Sequence, residues 1–241
     1  MYSELKNRFK EEFFKGEKSE RNALEKAYAD MSRRAQGHKP QMKEDCIEWL
    51  LNEKVFEKVK SCKSQKEFDE WHKETCEGLK NIWGSFGTIG RSQKVINMAF
   101  KYLSCVGDNY DNILKFCHMT LDGYTLNWYK TIVSKEEKKK LTEWSKIKDY
   151  DNEYYQIQDR IRKELKKGFE YSIRIGCSET KKIAIPETPF EAEFIIWEGE
   201  IINYKYNELV KKLNKYKQEG LKNDEWLIEH IFDDYLKSVS E

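Results

Sequence analysis

Proline is nearly absent from this chain: three residues in 241, at positions 40, 186 and 189. Long stretches therefore run without the residue that most effectively breaks a helix. Charge of one sign is missing too, because 44 Lys and Arg face 43 Asp and Glu. No global field draws in a polyanion, and any nucleic-acid site must be a local patch. There is no apolar run of bilayer length, and "MYSELKNRFKEEFFKGEKSE" lacks the apolar core of a leader peptide. A soluble, cytoplasmic protein that does not enter a membrane is expected. The six cysteines at 46, 62, 76, 105, 117 and 177 form no tight framework, so reduced thiols are expected rather than disulfides.

Hydrophobic residues make up 39% of the chain and charged residues 36%, the balance of a folded protein with a solvated surface. Apolar residues recur at spacings of three and four, which predicts a mainly α, compact multi-helix domain spanning residues 1–241. It divides into N-terminal helices (1–83), a central region (84–134) and C-terminal helices (135–241). "EDCIEWLLNEKVFEKVK" and "SQKEFDEWHKETCEGLKNIW" read as packing helices, and residues near 92–106 as a central helix apolar around most of its circumference. The lysine-rich stretch from Ser134 to Gly168 reads as two solvent-facing helices. In "FEYSIRI" the pattern switches to period two, so a small β-hairpin with "KIAI" is expected at about 169–185. Thr188, Pro189 and Glu191 form a helix-start signature, and "NDEWLIEHIFDDYLKSV" reads as a terminal amphipathic helix.

Two positions suggest chemistry. A helix opening near Ser92 places Lys94, Asn97, Lys101 and Ser104 on one polar face. Such a stripe is often only solvated surface, yet a cation in a first turn opposes the helix dipole. That field, with partial burial, would favour the neutral, nucleophilic amine. Gly84, Gly87 and Gly90 precede it, and a glycine turn entering a helix can offer backbone N–H groups to a phosphate. The second position is Asp122 in "CHMTLDGYTLNW", which reads as a helix N-cap with Leu121 and Leu126 as a staple. A capping carboxylate can also face a reactive site.

A glycine turn, a lysine-bearing helix, a loop and an apolar-flanked "LD" opening another helix together resemble the helix-hairpin-helix DNA glycosylases, in particular their archaeal 8-oxoguanine glycosylase branch. The resemblance covers roughly residues 79–130; "GTIGRSQK" lacks the proline usual in that hairpin, and the Lys94 to Asp122 interval is longer than in most members. It implies that Lys94 is a nucleophile forming a Schiff base with the sugar and that Asp122 is the assisting carboxylate. It further implies double-stranded DNA as partner, gripped by Gly87, Gly90, Arg91, Ser92, Gln93, Asn97 and Lys101. Cys117, His118 and Trp128 would line the pocket for an everted base. No metal or cofactor is implied.

Other classes remain open. Trp128, Phe194 and Trp197 also fit helical core stripes. Arg33 and His38 have a spacing that resembles the ribonuclease motif of HEPN domains, although Gly37 and Pro40 interrupt the helix on which that motif sits. His72 with Cys76, and Cys117 with His118, match no four-ligand zinc pattern. A helical protein-interaction module, with an unidentified protein partner, accounts for the charge runs without any chemistry.

Overall fold

The computed structural model describes residues 2–33, 35, 37–174 and 179–218. The predicted terminal helix at 223–239 and Cys177 lie outside the described residues. Within them the chain is mainly helical, with one small antiparallel hairpin.

The charged N-terminus forms α1 (Tyr2–Phe13) and α2 (Glu20–Ser32). Ser19 starts α2 by accepting from the Asn22 amide at 3.3 Å, the side-chain cap that an exposed helix start needs. Next come α3 (Pro40–Asn52) and α4 (Val55–Val59), separated at Lys54, whose φ of +49° breaks the single helix that the periodicity suggests. Helix α5 (Gln65–Ile82) is capped by Ser64 and buries Phe68, His72, Cys76 and Leu79 along one side. A 3-10 turn at Gly84–Phe86 leads into α6 (Ile89–Val106), the centre of the molecule.

Helix α6 packs most extensively on α2 and α5, and its buried residues lie on every side. It begins three residues before the expected start, because Thr88 caps it by accepting from the Arg91 amide at 3.1 Å. A short α7 (Asp111–Leu114) and a stretch outside any helix or strand lead to α8 (Gly123–Ile132). The lysine-rich region yields α9 (Lys135–Lys140), a 3-10 turn at Trp144–Lys146, a π-turn at Tyr150–Tyr154 and α10 (Tyr155–Leu165). The two expected helices are α9, which buries nothing, and α10, which is not simply solvent-facing because it buries Ile157, Gln158, Ile161 and Leu165; turns join them.

Strands β1 (Glu170–Arg174) and β2 (Thr180–Ala184) pair antiparallel with Tyr171 opposite Ile183, as the alternating pattern requires. Helix α11 (Pro189–Gln218) then runs across α8 and β1 and meets α1. At its start the Thr188 hydroxyl donates to the Glu191 carboxylate at 2.8 Å. One continuous apolar cluster extends from Phe9 to Ile196, so both ends of the described chain share a core with α6.

Candidate functional site

Lys94 and Asp122 meet. The earlier start of α6 moves Lys94 from the first turn to the second, where the helix dipole has less hold on it. Its Nζ lies 4.0 Å from Asp122 Oδ2, and the two side chains are only 13% and 12% exposed. The Trp144 ring covers the amine at 4.5 Å from its centroid. The Lys94 pKa is depressed first by burial; Asp122 and Asp30 oppose that fall, and Arg33 adds to it. Burial, not the dipole, is thus what favours the neutral amine.

Asp122 is held by its own helix. Oδ1 accepts from the Tyr124 and Thr125 amides at 2.9 and 3.0 Å, and the Asp122 amide donates back to Thr125 Oγ1 at 2.9 Å. This capping box uses one carboxylate oxygen and leaves Oδ2 towards Lys94. One side chain therefore both caps α8 and faces the Lys94 amine.

The glycines do other work. A Cβ on Gly87 would sit 2.0 Å from the Lys80 carbonyl oxygen, and one on Gly90 would sit 1.5 Å from that of Trp144. The Gly90 amide donates to the Ile147 carbonyl at 3.1 Å, and the Thr88 hydroxyl donates to Ser145 O at 2.9 Å. Residues 144–147 thus close the N-terminus of α6, and the expected phosphate cradle at Gly87 and Gly90 is replaced by intramolecular backbone contact. Arg91 lies with its guanidinium carbon 4.0 Å from the Phe86 ring centroid and donates to Phe86 O.

The other expected DNA contacts on α6, Ser92, Gln93, Asn97 and Lys101, are interior. A duplex cannot reach them in this conformation, because each faces the core. Lys101 pairs with Glu193 at 2.9 Å, both 2% exposed, and sits among the rings of Phe9, Phe194 and Trp197. Asn97 Nδ2 donates to the Tyr154 hydroxyl at 3.0 Å, while its Oδ1 lies 2.9 Å from His72 Nε2.

The expected base-pocket residues are interior as well. His118 is bonded on both sides, Nδ1 to the Tyr154 hydroxyl at 2.9 Å and Nε2 to Asp69 Oδ1 at 2.6 Å. These partners favour the tautomer in which the Tyr154 hydroxyl donates to Nδ1 and the Nε2–H donates to the Asp69 carboxylate. Cys117 directs its thiol to the Ile113 carbonyl at 3.6 Å. Trp128 is fully buried and packs edge-on to Phe169.

Arg162 donates to the same Asp69 oxygen at 3.1 Å. Asp69 and Arg162 help line a cleft of about 880 Å³ between α5 and α10. Cys76 Sγ lies 3.5 Å from His72 Nδ1, which also meets the Tyr150 hydroxyl at 2.9 Å, and among the described residues no group of three or more His, Cys, Asp or Glu could hold a metal ion. Arg33 pairs with Asp30, and His38 meets the Tyr28 hydroxyl at 3.4 Å, so the two residues of the HEPN spacing are engaged separately.

Trp144 escaped the sequence reading. A tryptophan inside "KKKLTEWSKIK" was the available signal, since a large aromatic in a solvated lysine run has to be packed against something. Comparison with protein-family models, with curated proteins and with solved structures found no match. No described helix is long and apolar enough to cross a membrane.

Proposed function

We propose that Lys94 and Asp122 are the reactive pair of a protein acting on DNA in the manner of a helix-hairpin-helix glycosylase with lyase activity. The observation that carries this reading is the approach of Nζ to Oδ2 at 4.0 Å in a site closed on one side by Trp144. A neutral Lys94 amine would attack the sugar carbon bearing the base. The N-glycosidic bond would break, and its electron pair and a proton would leave with the base. Nitrogen lone-pair donation would then open the sugar ring to a Schiff base. Asp122 would stabilise positive charge on the ring and carry protons between steps.

The test is borohydride trapping on duplex DNA carrying assorted base lesions, wild type against Lys94→Gln. A covalent adduct that disappears in the variant supports the reading. No adduct with any lesion, together with no salt-sensitive DNA binding, overturns it.

A second reading has its own support. Burial of Ser92, Gln93, Asn97 and Lys101 removes most of the DNA contacts that the resemblance implies, which favours a non-enzymatic helical interaction module. On that reading Lys94 and Asp122 form a structural pair, and trapping fails.

A further inference from the structure

The segment Met119–Asp122 lies outside any helix or strand, and among the described residues no strand pairs with it. Its backbone groups are bonded instead by side chains from four helices: Gln93 of α6, Thr125 of α8, Gln158 of α10 and Glu193 of α11. The Met119 amide donates to Gln158 Oε1 at 3.2 Å, and the Met119 carbonyl accepts from Gln158 Nε2 at 2.7 Å. The Leu121 amide donates to Gln93 Oε1 at 3.1 Å, and its carbonyl accepts from Gln93 Nε2 at 2.8 Å. Between these two amide clamps the Thr120 amide donates to Glu193 Oε2 at 2.7 Å. The other Glu193 oxygen takes Lys101.

Glutamine can satisfy both backbone groups of one residue, and does so at Met119 and Leu121. The Thr120 carbonyl is already taken by the Thr125 hydroxyl at 2.6 Å, so only an acceptor is needed there. A buried carboxylate supplies it at a desolvation cost, and Lys101 offsets the charge. Thr125 also anchors the capping box of Asp122, which joins the Glu193 contact to the orientation of Oδ2.

We propose that Glu193 is a positioning residue for Asp122, holding the Thr120 peptide so that the Asp122 carboxylate faces Lys94, with Lys101 as its counter-ion. A bearing on catalysis rests on the reading given under Proposed function; the positioning itself does not.

Two double variants separate positioning from charge burial. K101M/E193Q removes both charges and keeps an amide oxygen for the Thr120 amide, whereas K101M/E193L removes that acceptor. The readout is the pKa of the Lys94 amine, followed by NMR on lysine labelled at Cε, with D122N as reference. At 4.0 Å, loss of the Asp122 charge is expected to lower the amine by about one to three units. The Glu193 charge also raises the Lys94 pKa directly, so K101M/E193Q is the charge-matched baseline, and K101M/E193L should fall below it by at least about half of the D122N shift.

A folded K101M/E193L variant with a Lys94 pKa no lower than that of K101M/E193Q would overturn the proposal. If the leucine variant does not fold, K101M/E193M fills the same length without the acceptor and is read in the same way. Trapping on DNA is scored separately. No wild-type adduct, with the pKa pattern as expected, removes the glycosylase reading and leaves the positioning intact. A wild-type adduct with a pKa in the leucine or methionine variant no lower than in K101M/E193Q does the reverse.

Discussion

At the scale of single residues, Lys94 and Asp122 differ in what they do for stability. Asp122 caps α8 through two backbone amides, so Asp122→Ala should cost about 0.5–2 kcal/mol. Lys94 is different, because burial depresses its pKa below the usual 10.5. Between the folded and unfolded values the unfolded chain holds more protons, so this group makes stability rise with pH across that window. Below the folded value its cost is fully present. Lys94→Met should therefore leave stability unchanged or raise it near neutrality, and should remove that alkaline rise relative to wild type. Urea denaturation of both variants at neutral and alkaline pH checks this. A Lys94→Met variant as destabilised as Asp122→Ala would mean that the amine is a structural anchor, and the case for a costly reactive group would fail.

At the scale of elements, the start of α6 decides between two uses of glycine. In the structure Gly90 admits the Trp144 carbonyl where a side chain would stand, which locks residues 144–147 onto the helix. Gly90→Ala should cost about 1–3 kcal/mol through overpacking, measured by denaturant unfolding with no DNA present. A phosphate-gripping glycine would leave stability untouched and lose only binding, so an unchanged midpoint would reopen the cradle. The same element marks the limit of sequence reasoning. Period-two alternation disclosed the β1–β2 hairpin, and periodic apolar residues disclosed α5 and α6, because both signals are local. The face through Asn97 and Lys101 read as polar and therefore exposed; it is buried because Tyr154, His72 and Glu193, distant in sequence, supply partners for it. The approach of Lys94 to Asp122 was expected from a resemblance, whereas Trp144 and Glu193 enter through contacts that no spacing along the chain encodes.

At the scale of the whole molecule, the core is held together by polar groups as well as apolar ones. Asp69, His118, Tyr154, Asn97, His72 and Tyr150 form a bonded path through the interior, linking α5, α6, the π-turn and the segment before Asp122. Satisfied networks of this kind specify one arrangement, and they are costly when one member changes charge. Both histidines have pKa values below the usual 6.5, with burial the largest cause; Arg162 pushes His118 down further, against the pull of Asp69. A folded-state value below the unfolded one means that the unfolded chain takes up more protons as pH falls past 6.5. Stability is therefore lost on acidification from that point. Asp69 acts in the same direction at lower pH: burial pushes its carboxyl up, but the His118 hydrogen bond and the Arg162 guanidinium outweigh burial and hold it below the usual 3.8. Urea midpoints should change little from pH 7.5 to about 6.5 and then fall down to pH 5, and the fall should be smaller in a His72→Asn, His118→Gln double variant than in wild type. Equal slopes in the two proteins would show that the histidines are not the groups being protonated.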